Sequence, residues 1–227
     1  MLPSQKRTQR FFFSSEEVLA IIAASAEPYR TFYGLAAETG LRAGELCGIA
    51  IDDLDLERRL LFVRQSAWRG KLGDPKTETS VRVVELSPQA CAHLATFLES
   101  WRPNAARLLF ATRTGTPWDA NLLLKRKFKP LIAKLGIKTP RGTGFHAFRH
   151  ANATMMDRLG TPLKVRQERL GHSDPRMTQG IYTHVASEDS RKVAAQLGDS
   201  VWGILDASGR EKGNGSEGAS SKPFRIN

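Results

Sequence analysis

The sequence predicts an α+β domain, mainly helical, with a small antiparallel sheet of three strands. Helix start and stop signals recur along most of its length, at Ser14, Gly40, Ser87-Pro88, Asp119, Thr161-Pro162 and Gly171. Between Ile51 and Leu86 the pattern changes to short β-like runs separated by turn residues. The 227 residues, 41% hydrophobic and 25% charged, suit a soluble globular protein of one ordinary domain or two small ones.

Residues 1–13 are a lead-in, basic at Lys6, Arg7 and Arg10, that ends in Phe11-Phe12-Phe13. Ser14 and Glu17 have capping-box spacing, so a helix is expected through Ala26, with Phe13 placed to staple it to the core. The polar residues 14–17 also interrupt the apolar run, which argues against a signal peptide. A second helix is expected from about Pro28 to Thr39, ended by Gly40. Three strands are then read from Ile51 to Leu56, Leu60 to Arg64 and Val81 to Leu86, with Lys76 in the last connection.

Ser87-Pro88 opens a helix whose one-sided apolar stripe is Cys91, Leu94, Phe97, Leu98 and Trp101. Asp119 can cap a helix from Ala120 to Leu135, which Pro130 is expected to kink or break. Thr161-Pro162 has the form of an N-cap and first turn for Leu163 to Leu170. A last helix is expected over Ser187 to about Leu205. The body of the domain is thus residues 14–206, and residues 207–227, rich in Gly, Ser and Lys, are expected to be a disordered tail.

The net charge is +11 and the pI near 10.0. Residues 102–176 hold sixteen Lys or Arg against four Asp or Glu, a balance of +12, which leaves −1 for the remainder. Basicity this regional suggests a surface that faces a polyanion. Lys125, Arg126, Lys127 and Lys129 form the densest run and are candidates for contacts to a DNA backbone. No stretch approaches the roughly 18 apolar residues of a membrane span. Cys47 and Cys91 form no metal or disulfide pattern and fit a reducing cytosol.

Four of the five histidines fall between His146 and His184, together with Arg149 and Tyr182. Imidazoles, a guanidinium and a phenol form a set suited to phosphate: donors for nonbridging oxygens, groups that move protons, and a hydroxyl that can attack. His146 and Arg149, three apart, share a helical face and can reach one anion. A phenol with a reference pKa of about 10 needs a cationic site beside it to attack at neutral pH. His146 and His150 have the spacing of a metal-binding pair, but Arg149 lies between them and the Glu of the zinc-protease pattern is missing. His150 and His184 are read as structural.

His146-x-x-Arg149-His150, Leu170-Gly171-His172 and Tyr182-Thr183-His184 resemble the C-terminal signature of the tyrosine recombinases, the phage integrase family. Thr39-Gly40-Leu41-Arg42-Ala43-Gly44-Glu45-Leu46 is similar to that family's first arginine motif. Pro75-Lys76-Thr77, followed by Ser80, Arg82 and a hydrophobic strand, resembles its β-hairpin lysine motif, with Lys71 as the fallback. The resemblance implies a DNA strand-cleaving and rejoining enzyme that uses Tyr182 as nucleophile and forms a 3′-phosphotyrosyl link. It implies Arg42 and Arg149 as phosphate clamps, Lys76 as the acid for the departing 5′-oxygen, His146 as the proton acceptor and His172 as a further donor. Glu45 supports the site.

No metal, ATP or other cofactor is implied, and the expected partner is double-stranded DNA in the cytoplasm, at the nucleoid. Members of the family assemble as tetramers on DNA. Residues 187–205, with Val193, Leu197, Val201 and Trp202, are the candidate contact, or else pack within the chain. The usual N-terminal core-binding domain is expected to be absent, so the chain is either a catalytic fragment or a shortened protein that leans on a separate core-binding domain or accessory protein. Two other readings share these residues: a type IB topoisomerase-like relaxing activity, and a noncatalytic DNA-binding relic or regulator.

Overall fold

The computed structural model describes residues 11–73, 81–171 and 188–210. At its centre lies α2 (Tyr29–Thr39), in which every residue from Thr31 to Thr39 is buried. A helix covered on all sides must be apolar or small all round and must satisfy its own polar groups. Phe32, Tyr33 and Leu35 supply bulk, and Gly34, Ala36 and Ala37 let neighbours approach closely. Around it stand α1 (Ser15–Ala23), α4 (Pro88–Glu99), α7 (His146–Arg158) and α9 (Glu188–Arg210). The expected capping box opens α1: Ser14 N donates to Glu17 Oε2 at 2.9 Å and Glu17 N to Ser14 Oγ at 3.2 Å. That helix stops at Ala23, three residues before the expected end.

The three-stranded sheet is present, antiparallel and in the order β1 (Leu54–Asp55), β2 (Leu60–Val63), then Arg82–Glu85. The first strand is shorter than expected because Ile51–Asp53 forms a 3-10 turn, held by Ala50 N donating to the Asp53 carboxylate at 2.9 Å. The sequence reading missed a second hairpin, β3 (Ser66–Trp68) with β4 (Lys71–Gly73), which makes Arg82–Glu85 β5. Its two-residue turn is Arg69-Gly70, both at positive φ, as the favoured hairpin turns require. The hairpin packs on α3 (Ala43–Gly48), the short helix that follows α2.

Pro130 does not break its helix. α5 (Ala120–Leu123) runs through a π turn over Leu124–Phe128 into α6 (Lys129–Lys134). The wider turn lies just ahead of the proline, whose ring would collide with the carbonyl four residues back in a regular helix. α8 (Leu163–Leu170) forms as expected and ends at Gly171, but Pro162 and not Thr161 holds the N-cap position. The Thr161 hydroxyl finds no hydrogen-bond partner among the described residues.

α9 continues to Arg210, so residues 207–210 extend the last helix and do not begin a tail. The expectations for residues 1–10 and 211–227 lie outside the described residues. Val193, Leu197, Val201 and Trp202 of α9 are buried against the body of the chain. Trp202 fills a slot over Gly34, and its Nε1 donates to Glu38 Oε2 at 2.5 Å. Ser87 donates to the same buried carboxylate through N at 2.8 Å and Oγ at 3.0 Å, so Glu38 joins α2, the start of α4 and α9. Among the described residues no helix is long and apolar enough to cross a membrane.

The slot over Gly34 has no room for a methyl group: a Cβ there would stand 2.0 Å from Trp202 Cη2. Gly34→Ala is expected to lower stability by about 1–3 kcal/mol, the usual cost of overpacking, although alanine is the better helix former. Urea denaturation checks this, and pairing the change with Trp202→Ala should make the effect of the added methyl disappear.

Candidate active site

The C-terminal ends of α2 and α8 meet at one place, and the candidate residues gather there. Both helices end in a glycine in the left-handed conformation, Gly40 at φ 63° and Gly171 at φ 60°. A helix end of this kind leaves carbonyls without intrahelical partners and carries partial negative charge, which attracts cations. Arg149, buried on α7, bridges the two ends: Nη1 donates to Gly40 O at 2.8 Å and Nη2 to Leu170 O. Arg42 donates through Nη2 to Gly171 O at 3.4 Å, and Arg82 through Nε to Arg169 O at 3.1 Å. Three consecutive carbonyls, 169 to 171, are thus each taken by a different guanidinium.

Glu45 is the carboxylate in this group. It lies one turn into α3, and its Oε2 accepts from Arg42 N at 2.8 Å, closing the start of the helix. Its Oε1 accepts from Arg42 Nη1 at 2.9 Å. From the other side Arg82 holds both oxygens, Nη1 to Oε1 at 3.1 Å and Nη2 to Oε2 at 2.9 Å. Burial alone would raise the Glu45 pKa, but the hydrogen bonds and charge of Arg82, then the hydrogen bonds of Arg42, outweigh it and the net shift is downward. Arg42 keeps 41% of its side chain exposed while Glu45 keeps 5%, so the arginine is held from within and open to an incoming group.

His146 is the first residue of α7 and is exposed at the surface. Partial desolvation, then the charges of Arg149 and Arg42, lower its pKa, against a smaller opposing effect of Glu45. Burial, then Arg42 and Arg82, pull Arg149 down to about 10, which still leaves it protonated at neutral pH. Cations therefore outnumber the carboxylate, an arrangement that favours an anion.

The structure brings Arg42, Glu45, His146 and Arg149 to one place. Lys76, His172 and Tyr182 lie outside the described residues. Lys125, Arg126, Lys127 and Lys129 are all exposed on the segment from the π turn into α6 and form no ion pair among the described residues. Leu124 of the same π turn lies against Gly144, two residues before His146. Sequence reasoning assigned no role to Arg82 or Arg169. Arg82 shares the inward face of β5 with Val84, and a charged residue at such a position was a usable signal.

Two guanidiniums beside a histidine, on a helical domain with a small sheet, form a site suited to an anion such as phosphate. Residues 12–189 match the phage integrase family, and the chain belongs to that family. It is 30% identical over 224 residues to a XerC-like tyrosine recombinase of Caldanaerobacter subterraneus subsp. tengcongensis, covering 87% of this chain and 56% of that protein. It is 35% identical over 198 residues to tyrosine recombinase XerC 2 of Ralstonia nicotianae, covering 83% and 53%. The chain therefore spans about half the length of these curated relatives. The Tn1549 transposon integrase, solved in complex with circular intermediate DNA, superimposes with a TM-score of 0.62 at 26% identity, over 84% of this chain and 68% of that one.

Neutral imidazole is the form His146 is built to favour. An NMR titration of its ring should give a midpoint below the ordinary 6.5, and Arg149→Met should move that midpoint upward by removing one of the cations that lower it. A midpoint at or above 6.5 in the unaltered protein would contradict this account of the site.

Proposed function

We propose that this chain is the catalytic domain of a site-specific DNA recombinase or integrase, which cleaves and rejoins DNA strands through a covalent tyrosine intermediate. The observation that carries the reading is the pair of guanidiniums, Arg42 and Arg149, anchored on two helix ends beside a histidine biased toward its neutral form. Guanidinium forks match the nonbridging oxygens of a phosphodiester and stabilise the charge that grows on them in the transition state.

The Tyr182 hydroxyl attacks phosphorus, and its proton passes to His146, which is free to accept it when neutral. The bond from phosphorus to the 5′-oxygen breaks, and Lys76 supplies the proton that leaves a 5′-hydroxyl. His172 gives a further hydrogen bond to the phosphate. The phosphotyrosyl ester conserves the bond for rejoining, so no ATP is required. Arginines supply the stabilisation that metal ions give other phosphoryl-transfer enzymes. Lys125, Arg126, Lys127 and Lys129 contribute backbone contacts that attract DNA without reading its sequence. Assembly as a homotetramer on DNA through residues 187–205 belongs to the same proposal. It requires α9 to release Trp202 from its own Glu38 or to use its remaining face.

Covalent trapping tests the reading. Incubation with a random-sequence pool of nicked suicide duplexes should yield an SDS-resistant protein–DNA band that vanishes with Tyr182→Phe and survives EDTA. Arg42→Ala should slow its formation by about 100-fold or more, the typical loss for one transition-state donor. No band on DNA that the protein binds would favour the noncatalytic reading, and relaxation of supercoils without strand exchange would favour the topoisomerase-like one.

A further inference from the structure

We infer that Arg82 is a positioning residue for strand cleavage, acting through Glu45 to aim the Arg42 guanidinium. The inference rests on the recombinase reading above. Arg82 is 8% exposed and faces inward from β5, so a role in touching DNA does not account for it. Its fork grips both oxygens of Glu45 while its Nε holds the Arg169 carbonyl, which ties the sheet, the first turn of α3 and the end of α8 into one unit. Each Glu45 oxygen accepts one bond from Arg82 and one from Arg42.

Without Arg82 the carboxylate would keep only its bonds from the Arg42 side, from N and Nη1, among the described residues. It could then turn toward Arg42 and pair with both ends of that fork, drawing it away from an incoming phosphate. With Arg82 present, Glu45 meets the Arg42 guanidinium through Nη1, and Nη2 is directed to Gly171 O. Gly171 closes the arrangement: a Cβ there would stand 2.9 Å from Arg82 Nη1 and 3.0 Å from Arg82 Cζ. The end of α8 and the Arg82 fork are in contact, so displacement of one shifts the carbonyl that Arg42 uses.

A double-mutant cycle on single-turnover cleavage of a trapped suicide duplex at saturating DNA tests this. Arg82→Met should slow cleavage by about 100-fold, the scale of a misplacement of about 1 Å at a reacting centre, while the Kd for the same DNA changes by less than about 3-fold. Glu45→Gln should also slow cleavage, and the double variant should be no slower than the worse single variant, because both changes remove the same restraint. Arg82→Lys keeps the charge but loses the fork, and should fall between wild type and Arg82→Met; it decides the matter if the methionine variant does not fold. Cleavage by Arg82→Lys at the wild-type rate overturns the inference, as do Arg82 and Glu45 effects that multiply. A wild-type protein that forms no Tyr182-dependent adduct would instead overturn the recombinase reading itself, and the inference with it.

Discussion

The structure depends on the meeting of two helix ends. A helix that stops leaves its last carbonyls without partners, and burying such an end is costly unless donors arrive from elsewhere. Here α2 and α8 stop beside one another, and the donors that arrive are side chains from other elements: Arg149 and Asn152 on α7, Arg82 on β5, and Arg42 at the start of α3. Asn152 Nδ2 donates to two carbonyls of the last turn of α2, those of Ala37 and Glu38, and Arg169 Nη2 also reaches the second. The need of the backbone for donors and the need of the site for cations are met by the same groups.

The rest of the fold keeps those ends in place. α2 is wrapped by aromatic rings on one side, with Tyr33 stacked on Phe148 of α7 at 6.0 Å and Phe32 edge-on to Phe145 at 5.5 Å. On the other side Glu38 is wholly buried. Burial raises its pKa most, against the opposing hydrogen bond from Ser87 N, the charge of Arg169 and the donors Trp202 and Ser87 Oγ. Such a carboxylate gives specificity more than raw stability, since a mispacked α4 or α9 would leave it without donors. The direction of α2, and hence the position of Gly40 and Arg42, follows from contacts well away from the site.

What could be read in the sequence was local chemistry. Ser14 with Glu17, Gly40, Ser87 with Pro88, Asp119 and Gly171 each act on their own helix, and each marked an end within a few residues. Arg42, Glu45, His146 and Arg149 were singled out by their resemblance to a family's motifs, which lie near such ends. The features that were missed depend on tertiary partners. The β3–β4 hairpin lies in a stretch that reads as a loop, the π turn before Pro130 adjusts a helix that a propensity rule would break, and α9 runs longer than its composition suggests. Arg82 and Arg169 gain meaning from groups 37 and 131 positions away, Glu45 and the Glu38 carbonyl, and no spacing rule reaches that far.

The way Arg149 is anchored has a further consequence. Both of its described partners are main-chain carbonyls, which are dipoles and carry no formal charge. They restrict where the guanidinium points without neutralising it, whereas a carboxylate in the same position would do both. Among the described residues no bonded carboxylate cancels its charge, and only the more distant Glu45 offsets its field before an anion arrives.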